Sequence, residues 1–274
     1  MRSSYEIERL FGEKVEIHRY LINSDRETVD KANPYDLPKI NYLNRLDTVV
    51  DIVKRHFRPS HKSRIGEFGC AQGIIALTLA ELGYRVDAFD INPEFIEYAK
   101  LKHENGWVDW HVGDVNRLNF PKNSLDAAIL GEVIEHCAYP EELVENVLKL
   151  VKPGGILIIT TPNANRIRTS LPHFSKFPDP TSRKKLEKWQ FGPDSSNHLF
   201  LFSLPEIPLI IPSNAKIAEQ GYLGGTILIN RHNLFLLRLF KKEKIPQIIK
   251  WFCEQGRISD LTCHNIYCVI RKQL

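Results

Sequence analysis

The chain has 274 residues, enough for one large hydrophobic core, and its apolar and charged fractions are those of an ordinary soluble globular protein. A net charge of +4 does not by itself indicate nucleic-acid binding, and no apolar run is long enough to cross a membrane. The polar N-terminus has no signal-peptide core and the five cysteines form no C-x-x-C pair, so we expect a cytoplasmic protein with reduced thiols and no membrane partner.

Residues 1–60 are predicted to form an N-terminal helical arm. Apolar residues recur at helical spacing from Leu37 to Phe57, which indicates one long helix that buries a single face. Residues 61–274 are then expected to form the main domain.

Short apolar strands alternate with amphipathic helices from Arg64 to Asn163. The predicted strands are RIGEF, YRVDAFD, VDWHVGD, LDAAIL and ILIITTPN. Such alternation predicts parallel βαβ units in a doubly wound α/β sheet with helices on both faces. Two later strands, AKIAEQGY and NIYCVIRK, would bring the sheet to seven, with helices over HNLFLLRLF and IPQIIKWFCEQ between them.

Residues 163–202 break this regularity and are predicted to form an inserted lid. They hold seven Lys or Arg residues against three acidic ones. A loop of this length commonly covers or binds a ligand, and its positive charge favours an anionic small-molecule acceptor. The basic run 183–185 is expected to lie in solvent.

A glycine-rich loop follows the first predicted strand. The dinucleotide pattern G-x-G-x-x-G fails, because Ala71 and Ile74 stand at its third and sixth positions counted from Gly69. The alternative pattern, acidic-x-G-x-G-x-G, is met by Glu67, Gly69 and Gly73, with Ala71 replacing the middle glycine. The loop therefore favours a nucleoside cofactor other than a dinucleotide.

Acidic residues also end the next two predicted strands, Asp90 the second and Asp114 the third. Together with the loop, LDAAILGEVIEH and VKPGGILIITTPN, this order resembles the Rossmann-like S-adenosylmethionine-dependent methyltransferases, and the ubiquinone-biosynthesis type is nearest in motif. The resemblance implies that Asp90 binds the ribose hydroxyls of S-adenosylmethionine and that Asp114 and Val115 lie by its adenine. It also implies cofactor contacts from Glu67, Gly69, Ala71, Gly73, Ile91 and Gly131.

The segment GEVIEHCAYP after the fourth strand holds the predicted catalytic residues Glu132, Glu135 and His136. It follows the carboxyl end of a strand, where such sheets bind ligands, and His136 titrates in the range of a general base. If this turn is helical, the three side chains face the same way.

A divalent metal is an alternative for this segment. With His198, the motif E-x-x-E-H is similar to two groups of metal-using methyltransferases, those of ubiquinone biosynthesis and those of small-RNA 3′ ends. We favour a site without metal. There, Glu132 touches the amino end of the cofactor, Glu135 pairs locally and His136 acts alone.

The patterns predict a methyltransferase that acts on an O or N atom of a small polar acceptor. An RNA 3′-terminal 2′-O-methyltransferase with a divalent metal is an alternative, which the small net charge disfavours. A non-catalytic cofactor-binding protein is another. An NAD-dependent oxidoreductase is disfavoured, because the Tyr-x-x-x-Lys from Tyr35 to Lys39 precedes the glycine loop and contains Pro38. The sequence leaves the acceptor and the oligomeric state open.

Overall fold

The computed structural model of the protein describes residues 1–12, 18–30, 37–117, 119–167, 169–190, 198–226 and 244–274. The N-terminal arm contains the helices α1 (Ser4–Phe11), α2 (Arg19–Thr28) and α3 (Leu37–His56). The long helix α3 confirms the prediction from apolar spacing, whereas the sequence predicts no separate bounds for α1 and α2 within the helical arm.

A seven-stranded sheet forms the centre of the main domain, in the order β3-β2-β1-β4-β5-β7-β6. Its strands are β1 (Arg64–Phe68), β2 (Arg85–Asp90), β3 (Trp107–Val112), β4 (Leu125–Gly131), β5 (Val151–Pro162), β6 (Ala215–Thr226) and β7 (Cys263–Lys272). The first five strands are parallel, and β7 runs antiparallel to both neighbours. The predicted mostly parallel sheet is thereby confirmed.

Helices connect the strands and cover both faces of the sheet. They are α4 (Ile74–Glu81), α5 (Pro93–Lys102), α6 (Pro140–Leu150), α7 (Pro180–Arg183), α8 (Ile245–Cys253) and α9 (Arg257–Thr262). Alternate residues of β4 belong to two different buried clusters, Ala127 and Ile129 to one, Ala128 and Leu130 to the other. The sheet is therefore buried on both faces, as a doubly wound fold requires.

Local signals in the sequence set several helix boundaries. Asn92 caps α5 by accepting a hydrogen bond from the Glu94 amide, with Pro93 as first helical residue, as predicted. Helix α4 ends just before Gly83, whose φ of 97° only glycine adopts easily. The helix predicted at 232–240 lies outside the described residues.

The strand order reverses between β1 and β4, so their connections leave on opposite faces of the sheet. In open α/β sheets this switch point opens a crevice at the carboxyl ends of the strands. The site described below lies at this edge.

Part of the predicted lid belongs to the hydrophobic core. Phe174, Phe200 and Phe202 are buried in the same cluster, and the rings of Phe174 and Phe202 stack. Arg183 was expected in solvent but is buried, because it forms an ion pair with Glu141 and lies over the Phe174 ring. Both described ends of the insertion are thus fixed, and residues 191–197 lie outside the described residues.

All five cysteines are free and buried. The Sγ atoms of Cys253 and Cys263 lie 3.6 Å apart, a pairing that the sequence did not predict. Among the described helices, none combines the length and the apolar character needed to cross a membrane.

Asp87 is expected to make stability depend on acidic pH. It is fully buried on β2, where it accepts hydrogen bonds from Arg64 at 2.6 and 2.9 Å and lies 3.0 Å from His111 Nε2. Burial alone would raise the pKa of Asp87, but the hydrogen bonds with His111 and Arg64 and their positive charges outweigh it and lower the pKa. This carboxylate therefore stabilises the fold above about pH 4, and the stabilisation is lost as the pH falls through the lowered folded pKa.

Urea unfolding of the Asp87→Asn variant tests this. At pH 7 we expect the free energy of unfolding to fall by about 2 kcal/mol, the contribution of hydrogen bonds to a charged group, with a clearly smaller difference at pH 3. Asp109→Asn is the control, because Asp109 is partly exposed on the neighbouring strand, where it pairs with Arg85. An equal loss for Asp87→Asn at both pH values would contradict the prediction.

Candidate active site

The glycine loop lies at the carboxyl edge between β1 and α4. Gly69, Ala71 and Gly73 have positive φ values of 74°, 44° and 71°. An added Cβ would stand 2.6 Å from Val133 at Gly69, and 2.6 Å from Trp110 at Gly73. Glycine is therefore required at both positions, while Ala71 adopts the left-handed conformation with its methyl group in place.

Glu67 is the last residue but one of β1 and directs its buried carboxylate at the first turn of α4. Its Oε2 accepts a hydrogen bond of 2.8 Å from the Ala76 amide. Burial raises the pKa of Glu67 to about 8; the Ala76 amide and Arg45 oppose the rise, while the charge of Asp90 adds to it. Dinucleotide-binding domains place a pyrophosphate at this helix terminus. Here a carboxylate of the protein takes that position, which disfavours a pyrophosphate.

Asp90 ends β2 beside the loop. Its Oδ2 accepts a hydrogen bond of 2.8 Å from the Ala71 amide, and its Oδ1 accepts one of 2.9 Å from the Asn92 amide. Burial raises the pKa of Asp90, and these backbone hydrogen bonds oppose the rise. Each carboxylate oxygen retains a lone pair, so the fixed carboxylate can still accept from two hydroxyl groups.

The other predicted cofactor residues lie around Asp90. Ile91 follows it and is exposed, and the Gly113 amide donates to the Asp90 carbonyl oxygen, which places the turn with Asp114 and Val115 next to β2. Gly131 ends β4, the strand on the other side of β1. Residues predicted from three separate stretches of sequence thus meet at one edge of the sheet.

Glu132 lies apart from Glu135 and His136. Its φ of 59° turns the chain, and the 3-10 helix that follows covers only Ile134–His136. The Glu132 carboxylate accepts hydrogen bonds from Thr160 Oγ1 at 2.9 Å and from Asn265 Nδ2 at 2.6 Å. The condition for alignment, a helical turn through all three residues, is therefore not met, because this left-handed turn separates Glu132 from the other two.

Glu135, His136 and His198 form a compact group instead, with ligand atoms within 4.8 Å of one another. Glu135 Oε2 accepts a hydrogen bond from Thr161, and Oε1 lies 3.9 Å from His136 Nε2 and 4.0 Å from His198 Nε2. Oε1 is buried and has no hydrogen-bond partner in the described parts of the chain. A buried oxygen of this kind is suited to a cation or a shared proton.

Burial sets the charge of this group. It raises the pKa of Glu135 well above its ordinary value, and the negative charge of Glu132 adds to the rise. Burial, with the charge of His136, lowers the pKa of His198 to about 4, so His198 is neutral at pH 7. Neutral imidazole and carboxylate are ordinary ligands of divalent metals, and neutral imidazole also accepts protons.

Two residues at this edge were not predicted from the sequence. Arg45 of α3 lies 3.4 Å from Glu132 and over the ring of Tyr42, and its charge opposes the rise of the pKa of Glu67. Asn265 of β7 is the second donor to Glu132. Both lie far along the chain from Glu132, and no motif or spacing marks either of them.

The sheet order and the glycine loop at its carboxyl edge define a Rossmann-like α/β domain. A family model described as a methyltransferase domain matches residues 66–159. This part of the chain is therefore similar to methyltransferase domains, among them that of a ubiquinone biosynthesis O-methyltransferase.

Two of the similar proteins carry the name ubiquinone biosynthesis O-methyltransferase. The one from Rickettsia prowazekii is 31% identical over 132 residues, which are 47% of this chain and 52% of the relative. The one from Xanthomonas axonopodis pv. citri is 35% identical over 104 residues, 37% of this chain and 44% of the relative. The chain thus spans about half the length of the curated relatives it matches.

Solved structures show the same fold at low identity. A SAM-dependent methyltransferase from Methanosarcina mazei has a TM-score of 0.50 and 18% identity, over 81% of this chain and 97% of that chain. Phosphoethanolamine N-methyltransferase 2 of Haemonchus contortus, solved with S-adenosyl-L-methionine, has a TM-score of 0.51 and 17% identity, over 83% and 53% of the two chains.

Proposed function

We propose that the protein transfers a methyl group from S-adenosylmethionine to an O or N atom of a small polar acceptor. The observation that carries this is the Glu67 carboxylate bound to the first turn of α4, where a dinucleotide needs room for its pyrophosphate. The same edge carries the carboxylates of Asp90 and Asp114, which suit a cofactor with hydroxyl groups and positive charge. When bound, S-adenosylmethionine supplies an electrophilic methyl group, and the protein provides position and proton uptake.

The acidic residues divide the cofactor site by function. Asp90 is proposed to bind both ribose hydroxyls through its remaining lone pairs, and Asp114 with Val115 to lie against the adenine. Arg45 and Glu132, an opposite pair 3.4 Å apart, suit the carboxylate and the ammonium group of the amino-acid end.

His136 is proposed as the general base that takes the acceptor proton. It follows the carboxyl end of β4 and lies beside the neutral His198, with its ring centroid 4.8 Å away. We also propose that the acceptor is anionic. Burial lowers the pKa of the Arg166 guanidinium, and within the described ranges no ion pair is formed by this side chain, so it is available to an anion.

Titration calorimetry tests the cofactor. We expect binding of S-adenosylmethionine and of its product S-adenosylhomocysteine, because the edge has carboxylates for the ribose and the ammonium group. We expect no binding of NAD at the same concentrations, since the Glu67 carboxyl group already occupies the Ala76 amide at the start of α4, where a pyrophosphate would bind. Binding of NAD that is tighter than that of S-adenosylhomocysteine would refute the proposed function.

A second candidate is the same reaction assisted by a divalent metal. The observation that favours it is the buried Oε1 of Glu135, which lacks a hydrogen-bond partner among the described residues and faces two imidazole nitrogens at 3.9 and 4.0 Å. Glu135, His136 and His198 would hold the metal, which would polarise an acceptor oxygen. Glu132 lies outside this group, bound to Thr160 and Asn265.

A further inference from the structure

Asn265 reaches the site from β7, near the end of the chain. Its Nδ2 donates a hydrogen bond of 2.6 Å to Glu132 Oε2. Because a carboxylate only accepts, this contact fixes which end of the amide faces Glu132. The other end faces Gly224, where an added Cβ would stand 3.1 Å from Asn265 Oδ1. The Asn265 side chain is therefore held between a glycine of β6 and the carboxylate.

Three elements of the fold hold the Glu132 carboxylate. Strand β5 provides the Thr160 hydroxyl for Oε1, β7 provides Asn265 for Oε2, and α3 provides Arg45 at 3.4 Å from Oε2. The backbone of Glu132 has a φ of 59°, a left-handed conformation that costs a residue with a Cβ about 1 kcal/mol. Because hydrogen bonds hold both of its carboxylate oxygens, the Glu132 side chain has a fixed direction in spite of this backbone cost.

The contacts that Arg45 and Asn265 make with Glu132 should respond differently when a ligand binds. Arg45 is a cation on the arm, so an anionic group in the site competes with Glu132 for it. Asn265 is neutral, lies within the central sheet and pairs with Pro162 of β5. Asn265 can therefore keep Glu132 Oε2 in place when the Arg45 side chain moves away from Glu132 to bind a ligand.

We propose that Asn265 is a positioning residue that directs Glu132 at the ammonium group of the amino-acid end of the cofactor. The inference rests on the proposed function. Because Asn265 acts through its hydrogen bond to Glu132, its loss should leave the adenosine contacts of Asp90 intact. Without it, Thr160 holds only Oε1 and the carboxylate can rotate toward Arg45.

Two ligands separate this role from a general structural one. S-adenosylhomocysteine and 5′-methylthioadenosine share the adenosine and the thioether sulfur, and only the first has the amino-acid end. For Asn265→Ala we expect S-adenosylhomocysteine to bind about ten- to a hundredfold more weakly, the usual effect of losing a hydrogen bond to a charged group. The affinity for 5′-methylthioadenosine should stay within about twofold, the non-additivity normal between distant sites.

Two further variants make the calorimetric test specific. Asn265→Leu has a similar size but cannot donate, so it should weaken binding of S-adenosylhomocysteine at least as much as Asn265→Ala. Tyr267→Phe is the matched control, because Tyr267 is on the same strand and donates to Glu219 Oε1 at 2.8 Å. This control should leave the affinities for both ligands unchanged.

The outcomes distinguish this inference from the function on which it rests. Unchanged affinity for S-adenosylhomocysteine in Asn265→Ala and Asn265→Leu, or an equal loss for both ligands, overturns the positioning role while the function stands. A wild-type protein that binds neither ligand overturns both.

Discussion

Asp90→Ala is expected to weaken binding of S-adenosylmethionine by about 2–4 kcal/mol, which is roughly a thirtyfold to almost a thousandfold increase in the dissociation constant. The carboxylate is fixed by the Ala71 and Asn92 amides, so it can accept from two hydroxyls without losing conformational freedom on binding. Calorimetry with S-adenosylmethionine and with 5′-methylthioadenosine measures the effect. Both ligands should lose affinity, because both carry the ribose.

The loss must be separated from a disturbed loop, since Asp90 also holds Ala71 in place. Asp90→Asn keeps the shape and one acceptor oxygen and should show a smaller loss than Asp90→Ala. Asp109→Ala removes an acid from the neighbouring strand and should leave the affinity as it is. Wild-type affinity in Asp90→Ala, with the fold intact, would refute the assignment of Asp90 to the ribose.

The sequence predicts the central sheet well, because its signals there are local. Each parallel strand is a short apolar run, and the turns on either side of β2 carry residues with one clear backbone preference, Gly83 before it and Asn92 after it. The cofactor loop is also local, since Glu67 and Ala76 lie nine residues apart. The position of Asp90 is also a local signal, because Asp90 is the last residue of its own strand, β2.

The acceptor half of the site depends on contacts that cross the chain. The left-handed turn at Glu132 is stabilised by Thr160 and Asn265, and the Asn265 contact spans 133 residues. Spacing alone favours a helical turn there, which would align Glu132 with Glu135. The sequence therefore indicates the segment, but not the turn that separates Glu132 from Glu135 and His136.

The insertion shows the same limit. Its basic composition indicates an exposed lid, yet Arg183 is buried against Glu141 and Phe174 because α6 supplies a carboxylate at that position. Composition gives the charge of a segment, whereas its partners depend on how α6 packs. His198 likewise reaches Glu135 only because the Leu199 amide donates to the Glu135 carbonyl oxygen.

His136→Ala is expected to lower turnover by about 10²–10⁴, the usual range for a lost general base, and to leave the affinity for S-adenosylhomocysteine nearly unchanged. His136 lies beyond the end of β4 with Glu135 and His198, away from the Asp90 carboxylate that is assigned to the ribose. Single-turnover assays and calorimetry on the same variant separate the two effects. Activity equal to that of the wild type would remove His136 from the chemistry.

A metal chelator distinguishes a His136 base that works without metal from a site that needs a divalent metal. If His136 acts as a base without metal, the native enzyme keeps full activity in the chelator, and His198→Ala has a much smaller effect than His136→Ala. If a divalent metal binds between the Glu135 carboxylate and the two imidazoles, the chelator abolishes turnover, and Glu135→Ala, His136→Ala and His198→Ala lose activity alike. Glu132→Ala is the discriminating variant, because Thr160 and Asn265 bind its carboxylate away from that group. This variant should weaken binding of the cofactor and leave any metal requirement unchanged.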